Sequence, residues 1–91
     1  MSNNQEGQSL EKLRSRIDEL DTELLKFLNE RAKCVIKIGK IKQKEKKSVL
    51  VPIREKELLD RLLTVNKGPM TDAMVIYIFQ QIIDTLKELQ K

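Results

Sequence analysis

Residues 9–47 read SLEKLRSRIDELDTELLKFLNERAKCVIKIGKIKQKEKK, without a proline. Leu10, Leu13, Ile17, Leu20, Leu24, Phe27, Leu28, Val35, Ile38 and Ile41 recur at spacings of three and four, the period of a single helix face. Ser9 stands where an N-cap belongs, followed by Glu11 and Lys12. About 38 residues at roughly 1.5 Å each make a helix about 57 Å long. A compact chain of this size has a radius of gyration of about 12 Å, hence a diameter of about 30 Å. The rest of the sequence is too short to cover such a stripe, and half of it is left bare unless a second chain lies on it. The reading is therefore all-α: three helices per chain, one very long N-terminal helix, and an intertwined homodimer. Gly39 lies inside the run at a cost of about 1 kcal/mol relative to Ala. It marks either a tolerated defect or a close backbone approach by another helix or a ligand.

Outward from this helix, glycine and proline divide what remains. Ser48 to Pro52 reads as a connection, and Pro52 suits the first turn of a second helix. That helix runs to about Val65, with Leu58, Leu59, Leu62 and Leu63 as its stripe, and Asn66-Lys67-Gly68-Pro69 ends it. Thr71 or Asp72 caps a third helix through Leu89, with Val75, Ile76, Phe79, Ile82, Ile83, Leu86 and Leu89 as its apolar row. No strand-like alternation and no repeat is present. The 91 residues form one domain over 9–91, preceded by a flexible polar tail over 1–8.

Composition narrows the chemistry. The sequence has no His and a single Cys, Cys34, which excludes the usual His/Cys zinc sites, a disulfide and a His-dependent triad. A lone reduced thiol fits the cytoplasm. No apolar run approaches the roughly 18 residues of a membrane span, and residues 1–8 lack the apolar core of a secretory signal. The net charge of +4 suits an anionic partner. The lysines at 37, 40, 42, 44, 46 and 47 invite a nucleic-acid reading, but they alternate with Ile38 and Ile41 in helical phase. Three aromatic residues are too few for a base-stacking platform. Most of that run is a solvated face, and neither nucleic acid nor membrane is an expected partner.

Arg31 and Lys42 are 11 positions apart, three turns plus about 20°, so they share a face about 16 Å apart, and both could reach one ligand. Arg14 precedes Arg31 by 17 positions, about 25 Å and 100° round the helix, so it serves a different pocket; in an antiparallel dimer, that pocket is the partner's. Each of these is also explicable as a solvated charge. Arg54 and Glu55 sit in the first turn of the second helix, where the dipole by itself favours the Glu55 carboxylate. Gln90 continues the row Ile76, Phe79, Ile83, Leu86, so its amide either leaves the core or satisfies something buried.

These residues fall in an order. Leu13-Arg14, Ile17-Asp18, Leu20-Asp21, Asn29-Glu30-Arg31, Ile38-Gly39-Lys40-Ile41-Lys42, Pro52-Ile53-Arg54-Glu55, Gly68-Pro69-Met70 and the run from Phe79 to Gln90 together resemble the all-helical chorismate mutases over residues 10–90. The resemblance implies an intertwined dimer of three-helix chains that rearranges chorismate to prephenate, on the route to phenylalanine and tyrosine. It also implies a pericyclic reaction needing no nucleophile, cofactor or metal. By the same analogy Arg31 and the partner's Arg14 grip the two substrate carboxylates, and Lys42 and Gln90 donate to the ether oxygen. Glu55 accepts from the ring hydroxyl, and Arg54 adds positive field.

Two positions depart from the family pattern. Val51 stands where many relatives carry Asp, leaving only backbone for the hydroxyl there. Leu86 stands where many carry Ser or another small residue, with loss of a carboxylate contact. Within the fold, an isochorismate pyruvate-lyase is the alternative activity. A regulatory or dimerisation domain, fused to or complexed with another shikimate-pathway enzyme, is the alternative role.

Overall fold

The computed structural model describes Ser2–Glu45 and residues 52–90, with side chains over 9–45 and 53–90. The elements are α1 (Ser2–Glu45), α2 (Pro52–Val65), α3 (Asp72–Lys87) and a closing 3₁₀ turn, η1 (Glu88–Gln90). No strand occurs among the described residues. The expected Ser9 cap is corrected: Ser9 lies inside α1, which begins at Ser2. Nothing between the two stops a helix, since that stretch has no proline and its only glycine, Gly7, costs about 1 kcal/mol.

The chain divides into two compact units, Met1–Arg31 and Ala32–Lys91. The first is helical along its described length. Its apolar stripe is bare: Leu10, Leu13, Ile17, Leu20, Leu24 and Phe27 are each 41–62% exposed. The second unit holds the core. There α2 packs on α3, Leu58, Leu59, Leu62 and Leu63 are half-buried, and Val75 and Ile83 of α3 are buried. The α3 row is otherwise graded. Phe79, Ile82 and Leu86 are half-buried, whereas Ile76 and Leu89 are exposed. Leu89 leaves the row because the helix tightens at Glu88 to three residues per turn, which shifts its side chains out of the 3.6-residue phase.

The α2–α3 corner is built from side chains that replace lost helix bonds. The Asn66 backbone N–H still donates to the Leu62 carbonyl (2.9 Å). Its side-chain amide donates to the Met70 carbonyl (2.8 Å) and its Oδ1 accepts from the Gly68 N–H (3.1 Å). Gly68 takes φ +77°, a left-handed conformation that favours glycine, before a cis bond to Pro69. Thr71 then caps α3: its Oγ1 accepts from the Met74 N–H at 3.1 Å, satisfying one of the unpaired donors of the first turn. No helix among the described residues is long and apolar enough to cross a membrane.

Thr71→Ala removes that acceptor and should cost about 1 kcal/mol of stability. The check is the urea midpoint of unfolding; an unchanged midpoint would show that α3 starts without the cap.

Candidate active site

In the C-terminal unit, two candidate residues, Gln90 and Glu55, are each held by a contact between elements. The first is where η1 meets α1. Gly39 is buried, and a Cβ built there would stand 3.1 Å from Gln90 Cγ and 3.2 Å from both Gln90 Cα and Cβ. This decides between the two readings of Gly39 in favour of close approach, and the approaching group is Gln90, backbone Cα and side-chain stem together. Gln90 is half-buried, and its Nε2 donates to the Val35 carbonyl at 3.2 Å. The amide that ends the apolar row therefore donates a second hydrogen bond to a helix carbonyl of α1 across the packing interface. Residues 35, 39 and 42 follow the i, i+4, i+7 spacing of one helix face. Gln90 is thus docked beside the face that carries Lys42, which is half-buried. An amide nitrogen has two hydrogens, so the bond to Val35 leaves Gln90 a second donor.

The second is where α2 meets α3. Glu55, in the first turn of α2, pairs with Lys87, in the last turn of α3, at an Nζ–Oε2 distance of 2.5 Å. The hydrogen bond to Glu55 raises the Lys87 ammonium above its ordinary 10.5. Slight burial opposes this, and the charges of Glu55 and Asp84 add to it. A cation with a raised pKa contributes fully below its unfolded value and loses that contribution as pH rises through the folded one. On the Lys87 side, then, the pair is intact throughout the neutral range.

The remaining candidates are placed one by one. Arg54 is exposed at the start of α2 and Leu86 half-buried near the end of α3. In the N-terminal unit, Arg14 is exposed and Arg31 half-buried. Val51 lies outside the described residues. Lys87 was not among the residues singled out from sequence. A signal for it existed: a short connection between two packed helices runs them antiparallel, so the first turn of α2 and the last of α3 fall at the same end. Among the described residues no group of three or more His, Cys, Asp or Glu is arranged to hold a metal.

Helices of this order define a small all-α domain, and comparison with known proteins gives it a family. The model of the chorismate mutase type II family matches residues 13–91. The chain is 34% identical over 85 residues to the chorismate mutase of Methanocaldococcus jannaschii, covering 92% of this chain and 86% of that protein. It is 38% identical over 88 residues to the bifunctional chorismate mutase/prephenate dehydratase of Aquifex aeolicus, covering 92% of this chain. The chain spans about a quarter of the length of that relative and of its Stutzerimonas stutzeri counterpart. Among solved structures, it superposes on the chorismate mutase of Thermus thermophilus with a TM-score of 0.88 at 30% identity, over 89% of this chain and 92% of that one. It also superposes on the Helicobacter pylori chorismate mutase in complex with prephenate, with a TM-score of 0.81 at 31% identity, over 89% and 88%. The chain belongs to the type II chorismate mutase family.

Gly39→Ala sets two effects against each other. Alanine improves helix propensity by about 1 kcal/mol, while overpacking against the Gln90 backbone costs about 1–3 kcal/mol. The net expectation is destabilisation by about 1 kcal/mol, read from denaturant unfolding. A gain of the full propensity difference would show that η1 moves aside freely.

Proposed function

We propose that this chain is a chorismate mutase, converting chorismate to prephenate in a homodimer, with the partner's Arg14 completing each site. The observation that carries the reading is the docking of Gln90 on Gly39 and Val35, beside the face of Lys42. It supplies two donors of the kind a breaking C–O bond requires, and the family membership supplies the substrate class. Supporting a fused or associated setting, relatives of this chain carry a prephenate dehydratase in the same polypeptide. A dehydratase, fused or associated, is accordingly the expected consumer of the product.

The rearrangement breaks the ether C–O bond of chorismate as a new C–C bond forms, within one molecule and without a proton changing hands. Catalysis reduces to two tasks. One is holding a flexible dianion with its reacting carbons in contact, which can supply a large part of the barrier reduction. Arg31 and the partner's Arg14 do this through charge-assisted bonds to the carboxylates, with Arg54 adding positive potential. Glu55 fixes the ring through its hydroxyl, while Leu86 shapes the wall. The other task is stabilising the negative charge that grows on the ether oxygen. The Lys42 ammonium and the second Gln90 N–H are assigned to it, and each such donor is worth about 10²–10³ in rate. The bare stripe of Leu10, Leu13, Ile17, Leu20, Leu24 and Phe27 supports a second copy as its cover.

The direct test offers the purified protein chorismate and isochorismate in turn and identifies the products. Prephenate from chorismate is expected; pyruvate and salicylate from isochorismate, with chorismate untouched, would replace this reading with the lyase. Turnover of neither substrate would favour the regulatory role.

Arg31→Ala should lose about 1.5–3 kcal/mol of transition-state binding, or about 10- to 150-fold in kcat/KM, with the helical circular-dichroism spectrum unchanged. Mixing Arg14→Ala with Arg31→Ala subunits should restore part of the activity, because one of the two mixed sites carries both defects and the other neither. Absence of recovery after demonstrated subunit exchange contradicts the shared site.

The pH profile follows from the donor types. An amide donates at any ordinary pH, and the sequence has no His to titrate near neutrality. The expected kcat/KM is flat from about pH 6 to 8. Gln90→Glu donates only when protonated, so its profile should climb toward acid; a flat profile in that variant would remove Gln90 from the ether oxygen.

A further inference from the structure

Ion pairs among the described residues differ in kind. Arg16–Glu19 (3.3 Å) and Lys56–Asp60 (2.7 Å) are local pairs along one helix, with side chains 59–77% exposed. Exposed pairs of that sort contribute little to stability. Lys87–Glu55 instead joins two helices, and its side chains are only 32% and 25% exposed. The Lys87 ammonium is held by Glu55 and feels Asp84, one turn earlier on α3, which in turn accepts from Gln80 Nε2 at 3.0 Å. On the α2 side, Glu55 commits Oε2 to the lysine.

A carboxylate has two oxygens and free torsions along its stem. Fixing Oε2 at a half-shielded ammonium removes most of that freedom and determines where Oε1 points. From this geometry, and resting on the reading of Glu55 as the acceptor for the substrate's ring hydroxyl, we propose that Lys87 is a positioning residue for the mutase reaction. Through its bond to Oε2, Lys87 holds the Glu55 carboxylate so that Oε1 meets the hydroxyl. Lys87 itself does not touch substrate. The effect belongs to binding: the hydroxyl is remote from the breaking and forming bonds, so its contact is made alike in ground state and transition state.

The experiment is a kinetic double-mutant cycle on the full chain with chorismate, comparing Lys87→Met, Lys87→Arg, Glu55→Gln and Lys87→Met/Glu55→Gln. Lys87→Met should lower kcat/KM about 10-fold, mainly through KM, the signature of lost uniform binding. Lys87→Arg, which keeps a cation in reach, should restore most of the loss. In the Glu55→Gln background, Lys87→Met should change kcat/KM by less than about twofold, because the residue it acts through is already gone.

Additive losses would overturn the proposal by making Lys87 a cross-link between α2 and α3 alone, and so would an unaffected Lys87→Met. Should Lys87→Met lose its helical spectrum, Lys87→Gln carries the same comparison. The two readings fail differently. A wild-type protein that leaves chorismate unchanged defeats the functional reading and this proposal with it. An active wild type with an indifferent Lys87 defeats only the proposal.

Discussion

Six large apolar side chains, from Leu10 to Phe27, occupy one face of α1 and remain 41–62% exposed, while Val75 and Ile83 are the only buried apolar residues among those described. Finishing the burial of a half-covered leucine or phenylalanine is worth on the order of 1 kcal/mol. Six such residues together approach the whole stability of an ordinary small domain, about 5–15 kcal/mol. Water is therefore a poor occupant for this face. On the proposed reading, a second copy of the chain covers it, and folding, assembly and completion of the site become one event.

On the proposed reading, the candidate site depends on fixed placement. A pericyclic rearrangement asks for fixed donors and a fixed substrate conformer, so precision of placement matters more than the reactivity of any one group. Two contacts provide it in the C-terminal unit. Gly39 gives up its side chain so that the Gln90 backbone can come to about 3.2 Å of where a Cβ would stand, and Val35 holds the amide. Lys87 ties the Glu55 carboxylate of α2 to the end of α3. Both contacts hold a polar group by a neighbour outside its own element, the condition under which a side chain keeps one geometry through a reaction.

Much of this was legible in the sequence, and for physical reasons. The helical phase from Leu10 to Ile41 specified the long helix, because a period of three and four over that length has no alternative. Pro52 marked the start of α2, and the Asn66–Pro69 cluster its end, because those residues restrict the backbone locally. Gly39 and Gln90 were each visible as exceptions, a glycine in a helix and an amide at the end of an apolar row. What they meant was visible only once they were seen to touch. Local signals do not report such tertiary facts. Ser9 resembled a cap, yet nothing before it stops the helix. Leu89 belonged to the apolar row until the 3₁₀ turn shifted its phase. Lys87 was hidden because its partner lies 32 positions away in sequence, beyond the reach of any helical spacing rule. Arg14 and Arg31 rest on the family pattern and on spacing along α1, and Val51 on the family pattern alone.

On the proposed reading, this chain completes its fold and site only with a second copy. Sedimentation equilibrium at micromolar concentration tests it most directly. A single helical species of twice the 10.6 kDa chain mass is expected. A fully helical, folded species sedimenting at the mass of one chain would contradict it.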